Sequence, residues 1–136
     1  MKVELVPLDQ LLPEGVKPIR LPKTIKTRWL KALRSGKYKQ GPGYLKQGYA
    51  DYPDDPEKYC CLGVLCYMPR SPVDLSFAGM GESIEEDMVS KALYRVLDQT
   101  TLDHDSCGST VQGYLILLND QGASFADIAD WIEENL

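Results

Sequence analysis

The sequence predicts one domain, mainly α with a small β element, an α+β fold ending in an αα-hairpin. Three observations lead there. Apolar residues recur at helical spacing after Thr24 and again after Ser124. Serines stand where they would cap three helices, at Ser83, Ser109 and Ser124. Residues 36–58 instead gather Gly, Pro and Tyr, the composition of loops and tight turns. The 136 residues suit a single domain, 1–136, large enough to bury a core without staples.

Taken in chain order, residues 1–22 read as an extended N-terminal arm. Pro7, Pro13, Pro18 and Pro22 exclude a continuous helix, and a short edge strand is expected near Val3–Val6. A helix follows Thr24, with Ile25, Trp29, Ala32 and Leu33 on one face and a stop at Gly36. Leu30 lies off that face, so the helix is expected to be covered on two sides. Within 36–58 a short hairpin is expected near Tyr44–Tyr49. Tyr59–Met68 is an apolar run whose small residues, Cys60, Cys61, Gly63 and Cys66, favour a buried helix. Residues 69–81 read as loop.

Ser83 and Glu86 fit a capping box ahead of a helix that buries Met88, Val89, Ala92, Leu93 and Val96. After a polar loop over 100–108, Ser109 and Gln112 fit a second box, opening a helix to about Asn119. Gly122 ends it, and Ser124 caps a last helix with Phe125, Ile128, Ala129 and Ile132 on its buried stripe. The last two helices are close enough in sequence to pack as a hairpin.

Charge is the sharpest chemical feature. The net charge of −5 conceals a window from Lys17 to Lys46 with ten basic residues and no Asp or Glu. From Asp51 onward, four basic residues face seventeen acidic ones. Such asymmetry points to a partner or to pairing between the two halves. Cations neutralise phosphates and aromatic rings stack on bases. The candidate ligand-binding residues are therefore Arg28, Arg34, Lys37, Tyr38, Lys39 and Tyr44. Gly36, Gly41 and Gly43 would let backbone N–H groups approach an anion. The net negative charge argues against broad DNA binding and suits a confined site for a small phosphorylated ligand.

Other chemistries are less coherent. Cys60, Cys61 and Cys66 lie in the apolar run and read as core thiols. Their spacing, with lone Cys107 near His104, does not match the paired ligands of structural zinc. Cys107 with His104 and Asp103 or Asp105 is crowded into one loop and forms no catalytic set. The last helix carries Asp127, Asp130, Glu133 and Glu134 and no cation, which excludes a DNA-recognition helix. No enzyme activity, metal or cofactor is implied. No apolar run reaches the roughly 20 residues of a membrane span, and the start lacks a signal peptide's apolar region. The expected compartment is the cytoplasm.

Three blocks carry a resemblance. They are Trp29-Leu-Lys-Ala-Leu-Arg-Ser-Gly36 with Tyr38 and Gln40, Tyr59-Cys-Cys-Leu-Gly-Val-Leu-Cys66, and Leu118-Asn-Asp-Gln-Gly-Ala-Ser-Phe125 running into Ile128–Glu133. Together they resemble a family of small proteins encoded in tailed-phage and prophage genomes. The resemblance implies a phage accessory protein in the host cell cytosol, and it carries no site residues. Small phage proteins outside the structural set often inhibit host defence. The expected function is thus to counter defence by sequestering a phosphorylated, nucleotide-like ligand. The alternative is a protein–protein inhibitor of a host nuclease or defence effector, acting through the acidic surface. An oligomer is compatible with either.

Overall fold

The computed structural model describes residues 5–47, 57–74, 83–102 and 110–136. Helices α1 (Leu8–Leu11), α2 (Lys23–Arg34), α3 (Cys61–Tyr67), α4 (Lys91–Leu97), α5 (Val111–Asp120) and α6 (Phe125–Asn135) enclose one core. Strands β1 (Lys46–Gln47) and β2 (Lys58–Tyr59) form the one sheet among the described residues. The fold is mostly helical with a small β element, as the sequence predicts. No helix among the described residues is long and apolar enough to cross a membrane.

The arm departs from its expected extended form. Pro7, at φ −58°, leads into one helical turn that buries Leu8 and Leu11, and Leu12 follows them inward. Three leucines within five residues make the turn favourable because both its contacts face the core. Residues 3–4 of the expected edge strand lie outside the described residues, and Leu5 and Val6 join no strand. Side chains from the C-terminal half hold the arm. The Tyr114 hydroxyl accepts from Val6 N (2.8 Å), Trp131 Nε1 donates to Val6 O (2.8 Å) and Asn135 Oδ1 accepts from Leu8 N (2.9 Å). Gln99 pairs with both backbone groups of Ile19, at 2.6 and 2.9 Å.

Helix α2 starts two residues before the expected position, behind Pro22, and buries Trp29, Leu30 and Leu33. Burial of Leu30 confirms cover on two sides: α2 packs on α6 and on α3. Trp29 is fully buried, and its Nε1 donates to Cys61 O (3.0 Å). Removing an indole of about 150–250 Å² from water stabilises by about 4–6 kcal/mol, and the hydrogen bond removes the cost of burying its N–H.

Of the hairpin expected near Tyr44–Tyr49, Gly48 and Tyr49 lie outside the described residues. Lys46 and Gln47 lie antiparallel to Tyr59 and Lys58, so the partner strand comes from the head of the apolar run. Helix α3 consequently begins at Cys61, with the Cys60 thiol accepting from Gly63 N (3.4 Å) as its cap. Gly63 is where α3 meets the Leu45 backbone: a Cβ there would overlap the Leu45 carbonyl oxygen.

Two of the three expected serine caps are displaced. Ser83 opens no helix. Residues Glu86–Met88 form a single 3₁₀ turn, and Ser90 caps α4 by accepting from Leu93 N (3.3 Å). Ala92, expected inside, is exposed, and Val89 is only half-buried. Ser109 lies outside the described residues, and Thr110 caps α5 through Gly113 N (3.1 Å). Gln112 instead uses its amide to pair with the backbone N and O of Ile84, both at 3.0 Å. Ser124 caps α6 as expected, accepting from Asp127 N (3.1 Å). Gly122, at φ +98°, makes the tight α5–α6 turn, where Ala123 N returns to Leu118 O (3.0 Å).

Candidate ligand-binding cleft

Residues Lys23 to Arg34 form α2 with two contrasted faces, and the contrast produces the site. Its apolar face is buried against α3 and α6, which leaves Arg28 and Lys31, three residues apart, neighbours on another face. The chain then reverses at Gly36, where φ is +76°, and brings Lys37 and Tyr38 back beside the helix. Opposite them, Pro69 follows the end of α3. Arg70 adopts φ +58°, a left-handed conformation uncommon in a non-glycine residue. Between these segments lies a cleft of about 300 Å³.

The cleft has a cationic rim and an apolar floor. Arg28, Lys31, Lys37 and Arg70 line it, and among the described residues no carboxylate does. None of the four forms an ion pair within the described residues. Ala32, Met68 and Pro69 supply apolar surface, and Tyr38 supplies a ring. That ring is braced: its centroid lies 5.3 Å from Tyr59 with the planes at 89°, and Tyr59 in turn lies 5.6 Å from Tyr67. Lys46 sits 5.0 Å over the Tyr67 ring and 3.1 Å from Glu57, whose other oxygen accepts from the Tyr59 hydroxyl. Burial, with Glu57 alongside, pushes the Tyr59 phenol up to about 12. The hydrogen bond from Lys46 holds the Glu57 carboxyl below its ordinary value.

Of the six residues singled out from sequence, Arg28, Lys37 and Tyr38 meet in this cleft, and Arg34, Lys39 and Tyr44 do not. Arg34 points the other way, to α6, with Nη2 at 2.8 Å from Asp130 and 3.1 Å from Glu133. Hydrogen bonds to those carboxylates raise its already high pKa. Lys26 also turns to α6 and donates to Glu133 O (2.8 Å) near its C-terminal end, where a cation is favoured. Part of the basic window is therefore matched internally by the acidic face of the last helix. The side chain of Lys39 is exposed while its carbonyl accepts from Tyr59 N (2.8 Å), and Tyr44 is exposed away from the cleft.

Two expected anion donors are also committed. Gly41 N bonds to Tyr59 O (2.9 Å) and Gly43 N to Asp120 Oδ1 (3.0 Å). Sequence reasoning missed Lys31 and Arg70 as cleft residues. The spacing of Lys31 from Arg28 was a usable signal. Arg70 stands beyond the acid-free window, and only the packing of α3 on α2 brings it near.

A second hollow, about 380 Å³, lies between the arm and α4, but Lys17 and Arg95 share its lining with Asp98 and the charge is mixed. Cys60, Cys61 and Cys66 are fully buried free thiols. Burial pushes Cys66 up to about 12 and also raises Cys60 and Cys61. These thiols are protonated at neutral pH and unsuited to nucleophilic or ligand roles. No group of three or more His, Cys, Asp or Glu capable of holding a metal occurs among the described residues. Cys107, His104, Asp103 and Asp105 lie outside them.

The three sequence blocks converge on a polar joint, and the first of them also lines the cleft through Lys31, Ala32 and Tyr38. Asn119 Oδ1 accepts from Gln40 Nε2 (2.9 Å) and from Cys61 N (3.2 Å), and Asn119 Nδ2 donates to Gly41 O (3.0 Å). Gln40 also donates to Ala123 O (2.7 Å) and accepts from Phe125 N (3.2 Å), which satisfies a free N–H in the first turn of α6. Residues from all three blocks thus lock the loop after α2, the start of α3 and the α5–α6 turn together.

Fold and cleft define a small, mostly helical protein with a cationic hollow on one side and a polar joint at its centre. Residues 21–136 match the family described as a domain of unknown function, DUF8296, and the chain belongs to that family. No curated protein and no solved structure matches the chain.

Proposed function

We propose that this protein is a non-catalytic binding protein that takes up a phosphorylated, nucleotide-like ligand in the cleft between α2 and the end of α3. The observation that carries this reading is the rim of Arg28, Lys31, Lys37 and Arg70, with no carboxylate in the lining among the described residues. Four cations gathered around one cleft repel one another, and an anionic ligand removes that repulsion. Arginine's planar fork can hold two phosphate oxygens at once. The resemblance of the three sequence blocks to phage-encoded proteins supports a biological setting: sequestration of such a ligand in the host cytosol during defence.

The alternative, inhibition of a host protein through the acidic surface, has less support. Asp130 and Glu133, two of the four acids on α6, are engaged by Arg34.

The test is native mass spectrometry of protein purified from host lysate, paired with calorimetry against a nucleotide panel. Wild type is expected to retain or bind a phosphorylated compound, and an Arg28→Ala, Arg70→Ala double variant to lose at least tenfold in affinity, about 1.4 kcal/mol. Full-strength binding by the double variant would place the site elsewhere.

A further inference from the structure

We infer that the cleft selects a mononucleotide-sized ligand by placing its base on the Tyr38 side and its phosphate on the cationic rim. This inference rests on the binding role proposed above and specifies what the ligand must carry besides phosphate.

Three features of the cleft support it. The first is size. At about 300 Å³ the cleft stands at the low end of small-molecule sites. It has room for one ring system and one phosphorylated group, and a dinucleotide or longer ligand would lie largely outside it. The second is the mixture of surfaces. Ala32, Met68 and Pro69 give the floor apolar area. A bare phosphate or a sugar phosphate has nothing to place there, whereas a planar heterocycle gains by covering it. The Met68 thioether adds a polarisable neighbour suited to a ring.

The third feature is the fixed orientation of Tyr38. A ring on a glycine-rich turn would ordinarily turn freely, and ordering it would cost entropy on binding. Here its perpendicular contact with Tyr59 sets its plane beforehand. Tyr59 is itself held by Tyr67 and by its hydroxyl bond to Glu57 (3.2 Å). Tyr59 is thus a positioning residue for Tyr38. Both offset stacking and edge-to-face contact with a base are favourable arrangements for such a ring.

The experiment is calorimetry on the full chain with four probes: inorganic phosphate, ribose 5-phosphate, adenosine 5′-monophosphate and cytidine 5′-monophosphate. Base–aromatic stacking predicts that the mononucleotides bind roughly five- to a hundredfold more tightly than ribose 5-phosphate. Tyr38→Leu keeps apolar packing and removes the aromatic face. It is expected to bring mononucleotide affinity close to that of ribose 5-phosphate while leaving ribose 5-phosphate within about twofold. Tyr38→Phe is expected to retain the preference, which also guards against a variant that has lost its fold. Equal affinity for mononucleotides and ribose 5-phosphate in wild type would overturn the inference and leave the cationic cleft standing. A preference kept in full by Tyr38→Leu would also overturn it. Failure of all four probes would overturn both the inference and the binding role on which it rests.

Discussion

Replacing Asn119 by alanine tests whether the three sequence blocks meet at a structural joint. The Asn119 side chain is almost completely buried and serves three partners from other segments: Gln40 Nε2, Cys61 N and Gly41 O. After truncation Gln40 Nε2 keeps Ala123 O, so it is not stranded. Cys61 N and Gly41 O lose the partner that Asn119 provides. Each buried group left without a hydrogen bond costs about 1–3 kcal/mol, so the expected loss is about 2–6 kcal/mol. That is a large fraction of the 5–15 kcal/mol typical of a domain. Urea unfolding, followed by the fluorescence of the buried Trp29 and Trp131, reads it directly. Gln40→Ala and the double variant complete a thermodynamic cycle, with an expected coupling above about 0.5 kcal/mol. A loss under about 1 kcal/mol for Asn119→Ala, with no coupling to Gln40, would show that the joint does not hold these segments together.

Gly63→Ala is expected to lose more than about 3 kcal/mol or fail to fold, because the added Cβ meets the Leu45 carbonyl, which is backbone and cannot rotate away. Gly36→Ala, where the Cβ enters open space and only the positive φ is unfavourable, is expected to cost about 1 kcal/mol; equal losses at the two sites by urea unfolding would refute the close approach. Stability is expected to fall as pH rises above about 9. The unfolded chain then gives up thiol protons that the folded chain holds at Cys66 until about 12. A urea midpoint unchanged between about pH 8 and 10.5 would contradict the protonated, buried state of these thiols. Arg34→Ala is expected to cost less than about 1 kcal/mol and to leave ligand binding unchanged, since its ion pairs to α6 are exposed and it lies outside the cleft. A tenfold loss of ligand affinity in calorimetry would return Arg34 to the site.

The elements legible in the sequence were those whose own pattern decided them. Trp29 and Leu33 recur at helical spacing and are buried, and Ser124 sits where α6 begins. The displaced helix starts show the limit of that logic. Ser83 with Glu86 has the same spacing as a working cap, yet Ser90 does the capping, and Gln112 is drawn off to Ile84 by a contact between distant segments. The site divided on the same ground. Arg28 and Arg34 look alike along the chain, but the helix presents them to different neighbours. Whether a cation faces a cleft or a row of carboxylates is decided by how α6 packs on α2, and no local spacing encodes that.

The way Trp131 and Asn135 hold the arm has a consequence for the order in which the fold can form. Val6 is separated from Trp131 by 125 positions. In a chain made from its N-terminal side at about 5–20 residues per second, the arm waits roughly 6–25 s for that partner. Throughout that wait Leu8, Leu11 and Leu12 lack the α6 side chains that anchor their segment. The nascent arm is thus an apolar segment in search of cover, open to chaperone capture or to another copy of the same arm. Completion of α6 ends that exposure and makes the arm, synthesised before α6, one of the last segments to settle.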